Sequence, residues 1–176
     1  MRLVKTKTIV NPDYKINFFH NIIGSWFWTG YFPKGSGTVG SLAAFIIFLI
    51  PLFNNIVYLS LAFVIVFALG TIAATHMIKR FGNDPSVLVA DEVVGQWFTI
   101  IMVMAAGYWQ LDWLHIAITF IAFRGFDILK LQPAKYFDKQ HTALGAMLDD
   151  VMASIYAGVS SIICFMLIQK YFSNIF

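Results

Sequence analysis

Apolar residues run in five long blocks separated by short polar breaks. Val39 to Phe53 is closed by Pro51 and the Asn54-Asn55 pair, and Ile56 to Ile78 ends at Lys79-Arg80. Val87 to Trp109 follows the breaker Gly82-Asn83-Asp84-Pro85, Trp113 runs to about Leu131, and the last block runs from about Ala146 to Tyr171. A membrane-crossing helix needs on the order of 20 apolar residues. Blocks two to five are long enough, and the first is marginal. Asp84 as an N-cap, with Pro85 in the first helical position, predicts where the third helix starts. Upstream, Ile16 to Tyr31 mixes Phe18, Phe19, Trp26, Phe27 and Trp28 with His20 and Asn21. That pattern predicts a helix lying at the membrane surface. Neither a repeat nor a linker interrupts the chain, so one unit is expected over residues 1–176. The expected fold is all-α, a polytopic transmembrane helical bundle of about five spans plus an N-terminal interfacial helix.

Composition agrees with the pattern. The 176 residues are 59% hydrophobic and only 12% charged, far more apolar than a soluble domain. The net charge of +3 is spread without a dense Lys/Arg tract, which fits loops beside anionic membrane lipid and excludes nucleic acid as the expected partner. A single cysteine, Cys164, rules out an intrachain disulfide and a cysteine-rich zinc site. The basic start Met1-Arg-Leu-Val-Lys-Thr-Lys leads into polar sequence, so no cleaved signal is expected.

Loop charges predict the orientation. Arg2, Lys5, Lys7, Lys15 and Lys34 precede the first span; Lys79, Arg80, Lys130, Lys135 and Lys139 follow the second and fourth; Asn54-Asn55 and the residues from Gly107 to Asp112 carry no Lys or Arg. The alternation puts the N-terminus on the cytoplasmic side. It also gathers the acids there. Asp84, Asp91 and Glu92 fall at the start of the third span, Asp127 near the end of the fourth, and Asp149 and Asp150 at the start of the fifth.

Carboxylates at a bilayer margin are costly unless something neutralises them. A single Asp near a helix start can be explained as a cap, and Arg124 and Asp127, three apart on one helix face, can neutralise each other. Five carboxylates from three helices exceed what such pairing covers. A hard divalent cation, most simply Mg²⁺, suits an all-oxygen shell, whereas the lack of paired His or Cys disfavours zinc. Metal candidates are therefore Asp84, Asp91, Glu92, Asp127, Asp149 and Asp150. The turn Gly35-Ser-Gly-Thr-Val-Gly40 opens the first span on the same side. No βαβ unit surrounds it, so a dinucleotide fold is rejected, yet free N–H groups at a helix start can receive a phosphate. Lys34, Gly37, Thr38, Arg124 and Lys130 are the substrate-binding candidates, and Asp91, Glu92, Asp127 and Asp150 the catalytic ones. Of the histidines, only His141, before Gly145 on the acidic side, is a candidate; His20, His76 and His115 read as packed or interfacial.

Four blocks in order carry a resemblance. Gly35-Ser-Gly-Thr-Val-Gly-Ser-Leu-Ala-Ala44, Asp84-Pro-Ser-Val-Leu-Val-Ala-Asp-Glu-Val-Val-Gly-Gln-Trp97, Phe123-Arg-Gly-Phe-Asp-Ile-Leu-Lys130 and Gly145-Ala-Met-Leu-Asp-Asp-Val-Met-Ala153 together resemble the phosphatidylglycerophosphatase A family. The resemblance implies a Mg²⁺-dependent phosphatase of the bacterial inner membrane, which removes the terminal phosphate of phosphatidylglycerophosphate. It maps the family's acidic positions onto Asp91, Glu92, Asp127, Asp149 and Asp150. The chain departs from the family at Lys130-Leu-Gln-Pro133, where a proline and an aromatic residue are replaced, so the loop after the fourth span is expected to differ. Three rival readings are a cation-binding transporter or channel, expected to place acids near the bilayer midplane in broken or repeated helices, a CDP-alcohol-type phosphotransferase, whose Asp-Gly-x-x-Ala-Arg pattern is absent from the sequence, and a structural helical bundle whose charges neutralise one another, which predicts no Mg²⁺ dependence.

Overall fold

The computed structural model describes residues 9–83 and 85–172. Every regular element in them is helical: α1 (Phe18–Gly24), α2 (Ser36–Ala43), α3 (Ile56–Phe81), α4 (Ala90–Ala105), α5 (Trp113–Leu129), α6 (Ala134–Asp138) and α7 (Ala143–Phe172), joined by short 3₁₀ turns. The all-helical expectation holds.

Two helices, α3 and α7, are long and apolar enough to cross a membrane. α3 starts where the Asn55 side chain accepts the Val57 N–H at 2.9 Å, and it ends in Lys79 and Arg80, cations that suit the negative end of the helix dipole. Its stripe of Val57, Leu61, Val64, Ile65, Leu69 and Ile72 is exposed. A core helix of a soluble protein would bury that stripe; lipid can cover it instead. α4 is the opposite case. Asp91 to Trp97 are buried without interruption, so this helix is surrounded on all sides, as expected of the centre of a bundle. It packs chiefly on α7 and also on α3, α2 and α5. Where hydrophobic transfer does little to join helices, close approach of small residues does the work. Gly95 allows that approach: a Cβ there would lie 2.4 Å from Phe123 of α5 and 3.1 Å from the Asp150 carbonyl of α7. Around α4 lie the fully buried Leu59, Met77, Phe123 and Met147.

Three expected elements take a different form. The block from Val39 to Phe53 is not one helix: α2 gives way to 3₁₀ turns at Ala44–Leu49 and Pro51–Asn54. There the Trp97 indole N–H donates to the Ala44 carbonyl at 2.8 Å, and Pro51 cannot continue a helix. The third helix begins at Ala90, not Pro85. Tertiary bonds claim the intervening backbone, with Ser36 Oγ donating to Ser86 O (2.6 Å) and Val89 N–H to Gly24 O (2.9 Å). Asp84, expected to cap that helix, lies outside the described residues. The aromatic stretch from Ile16 to Tyr31 is helical only over α1; Trp26, Phe27 and Trp28 then take left-handed φ values of 43°, 54° and 66°. Such conformations cost of order 1 kcal/mol or more each in non-glycine residues. Local bonds hold them, including Phe27 N–H to Ile22 O (2.8 Å) and Trp28 N–H to Ser25 Oγ (3.2 Å), and the Trp26 ring meets Trp97 edge to face at 5.3 Å.

Candidate functional site

Asp91 and Glu92 stand in the first turn of α4, where the helix dipole favours negative charge. α7 carries Asp149 and Asp150 in its second turn, and α5 runs in so that Arg124 and Asp127 arrive with its last turns. The ends meet. Carboxylate oxygens of Glu92, Asp127 and Asp150 all lie within 4.8 Å of one another, and the three residues are 3%, 9% and 3% exposed. Arg124 crosses the cluster: its Nη1 donates to Glu92 Oε2 and lies 2.8 Å from Asp127 Oδ2. Its Nε is buried without a hydrogen-bond partner among the described residues, so one donor of the fork is left for an incoming acceptor. Ser41 Oγ, from α2, is 3.2 Å from Glu92 Oε2.

The glycine motif has a packing role here. Ser36 to Gly40 are already helical, and only Gly35 is left-handed, with φ 66°. Gly37 is the point of closest approach: a Cβ would sit 2.1 Å from Glu92 Oε1 and 3.4 Å from Arg124 Nη1. Lys34 and Thr38 are exposed, and no contact among the described residues ties either side chain to the acids.

Adjacent helical residues diverge by about 100°, so the Asp91-Glu92 and Asp149-Asp150 pairs split between two places. Glu92 and Asp150 join the triad with Asp127. Asp91 and Asp149 line a crevice beside it with Asp138, His141 and Thr142. Lys130 spans that side, 2.7 Å from Asp149 Oδ2 and also paired with Asp138. Burial works against its charge, but Asp149 and the hydrogen bonds to Asp138 and Asp149 outweigh that and hold the ammonium above its ordinary value. The loop that departs from the family pattern is thus pinned by Lys130, and by the Tyr156 hydroxyl donating to Gln132 O. Asp138 escaped sequence reasoning because no periodicity links it to Lys130; α6 folding back brings them together. His141 does reach the acidic side, whereas His20 stacks on His76 at 4.1 Å and His115 stacks on Phe165 at 4.4 Å.

The donor set suits a hard divalent cation. It is all carboxylate oxygen, and one oxygen from each of the three residues lies within 4.8 Å of the others, a grouping that suits one small cation with an oxygen shell. Neither a thiol nor an imidazole belongs to it.

A family model described as Phosphatidylglycerophosphatase A matches residues 22–165. The chain belongs to the phosphatidylglycerophosphatase A family. Relatives agree over most of its length. A Phosphatidylglycerophosphatase A of Haemophilus influenzae is 36% identical over 84% of this chain and 90% of its own, and that of Escherichia coli 28% identical over 87% of each. A Bacteroides thetaiotaomicron protein, provisionally named a phosphatidylinositol-3-phosphatase, is 35% identical over 80% of this chain and 90% of its own. The protein is accordingly a phosphatase. No solved structure matches the chain significantly. All four motif blocks overlap the matched region, and the buried acids lie within it.

Proposed function

We propose that the protein is a Mg²⁺-dependent lipid phosphatase that hydrolyses the terminal phosphomonoester of phosphatidylglycerophosphate, giving phosphatidylglycerol and phosphate in phospholipid synthesis. The observation that carries this reading is the buried Glu92, Asp127 and Asp150 triad crossed by Arg124, in a chain whose family bears that substrate's name. Anionic side chains would repel a phosphate by themselves. Glu92, Asp127 and Asp150, with Asp91 and Asp149 adjacent, would hold Mg²⁺, which when bound would supply neutralising charge and polarise a water.

The chain's own groups do the rest. Arg124 Nε, without a partner among the described residues, is offered to a phosphate oxygen, and its Nη1 contacts with Glu92 and Asp127 keep the guanidinium in place. First-turn N–H groups of α2, beside Gly37, face anionic charge from the positive end of that helix, and Lys34 adds long-range attraction at the exposed rim. A carboxylate of the cluster takes the proton of the attacking water. The new P–O bond forms as the bond from phosphorus to the glycerol oxygen breaks, and that oxygen leaves with a proton as the free hydroxyl of phosphatidylglycerol.

The proposed membrane placement is supported by the two long apolar helices and the loop charges. α3 and α7 cross the bilayer, and α2 with its 3₁₀ continuation, α4 and α5 complete a bundle of about five spans in a bacterial inner membrane. The loop charges put the N-terminus and the acid cluster on the cytoplasmic side, at headgroup level. A transporter would hold its acids near mid-bilayer; here they sit at helix ends. The Bacteroides relative favours a second reading of the substrate, a phosphoinositide, with the same bond broken. Purified protein tests the proposal: phosphate release from phosphatidylglycerophosphate should vanish in EDTA and return with Mg²⁺. Unimpaired release in EDTA would remove the metal from the reading, and no release under any condition would remove the substrate.

A further inference from the structure

Gln96 lies one helical turn beyond Glu92 on α4. Its side chain is 0% exposed, and neither its amide oxygen nor its amide nitrogen has a hydrogen-bond partner among the described residues. A buried carboxamide with both ends unmet is destabilising, and a native protein that keeps one calls for a partner, such as a bound water, an ion or a group of the substrate. Some buried hydroxyls of the bundle are satisfied on their own helices, Thr99 Oγ1 donating to Gly95 O at 3.0 Å and Thr119 Oγ1 to His115 O at 2.7 Å, whereas Gln96 shares its unmet state with Arg124 Nε beside Glu92.

Its chain neighbours define the sector it occupies. Gly95 packs against Phe123 of α5, and Trp97 donates its indole N–H to Ala44 at the end of α2. Successive residues fan by about 100°, so Gln96 falls between those contacts, in the wedge of α2 and α5. Glu92 occupies the same wedge, where it meets Ser41 and Arg124. A rise of about 1.5 Å per residue sets the Gln96 Cα roughly 6 Å further along the helix than that of Glu92, one turn beyond the carboxylate that Arg124 holds.

We infer that Gln96 is a specificity-determining residue, which binds the hydroxyl on the carbon next to the phosphate-bearing carbon of the lipid headgroup. A carboxamide presents a donor and an acceptor side by side. A hydroxyl both donates and accepts, so it satisfies both; an anion would meet only the nitrogen and a cation only the oxygen. Phosphorylated glycerol and inositol headgroups, which the relatives' names specify, share this hydroxyl, and phosphatidic acid lacks it. The inference rests on the phosphatase reading above.

The test compares phosphatidylglycerophosphate with the analogue whose headgroup hydroxyl is replaced by hydrogen, using purified full-length protein in anionic vesicles with Mg²⁺. The wild type should favour the hydroxylated lipid in kcat/KM by at least about 30-fold, because a site built to hydrogen-bond a hydroxyl rejects an analogue lacking it. Gln96→Met, similar in length and without an unmet polar group, should bring that ratio close to one. Equal use of the two lipids by the wild type overturns the inference without any variant. A Gln96→Met protein that loses both activities in proportion also overturns it, since that is the mark of a packing role. Release from neither lipid by the wild type defeats the phosphatase reading and this inference with it.

Discussion

Gly37→Ala adds one methyl group at the tightest point around the triad. The new Cβ would stand 2.1 Å from Glu92 Oε1 and 3.0 Å from its Cδ, where ordinary contact begins near 3.4 Å. Relief therefore needs a shift of roughly 1.3 Å. Glu92 is 3% exposed and held by Arg124 and Ser41, so the carboxylate cannot swing away without breaking those bonds. A misplacement of about 1 Å in a reacting group can cost on the order of 10²-fold, or roughly 2.7 kcal/mol of transition-state stabilisation. We expect kcat/KM for phosphate release to fall about 100-fold while the protein still inserts and purifies as the wild type does. The control is Gly125→Ala, on α5 between Arg124 and Asp127, where a Cβ meets nothing within 4 Å. That change should leave activity within about threefold and add roughly 0.5–1 kcal/mol of helix stability. If Gly37→Ala keeps near-wild-type activity, Glu92 does not need its observed position and the argument for the triad fails.

Asp127→Asn and Asp150→Asn should each lower phosphate release by 10³-fold or more with insertion intact, and an active variant would remove that residue from the metal shell. Arg124→Lys keeps the charge but loses the planar fork; a rise in KM with a drop of about 10²-fold in kcat/KM is expected, and unchanged kinetics would exclude the guanidinium from phosphate binding. Lys130 has its folded value raised above the ordinary 10.5, so its stabilisation is fully present below that pH and declines as pH rises beyond it. The Tm gap between wild type and Lys130→Met should thus be constant from pH 6 to 9 and shrink above about 10.5; a gap that changes near neutrality would contradict the pairing with Asp149 and Asp138.

Much of this arrangement was legible in the chain. Hydropathy marked α3 and α7, and the alternation of basic loops placed the ends of α4, α5 and α7 together, because a helix entering and a helix leaving on one side must share that side. The carboxylates stood out since a bilayer margin tolerates them only when neutralised. Other features needed the fold. The late start of α4 at Ala90 depends on Gly24 and Ser36, more than 45 positions upstream, taking the backbone of Ser86 and Val89. No local signal at Asp84-Pro85 competes with that.

By itself, the order of residues determined the helical class, the apolar exterior and which acids crowd one end, all consequences of periodicity and transfer energy. Tertiary structure alone decided how those acids divide. Neighbours on a helix point about 100° apart, so sequence adjacency could not say that Glu92 and Asp150 would meet Asp127 while Asp91 and Asp149 turned toward Lys130 and His141. Nor could it say that Gly37 would serve by having no side chain, or that the Gln96 side chain would be buried one turn beyond Glu92 with no hydrogen-bond partner among the described residues. Each of those outcomes is set by the packing of α2, α5 and α7 on the central helix.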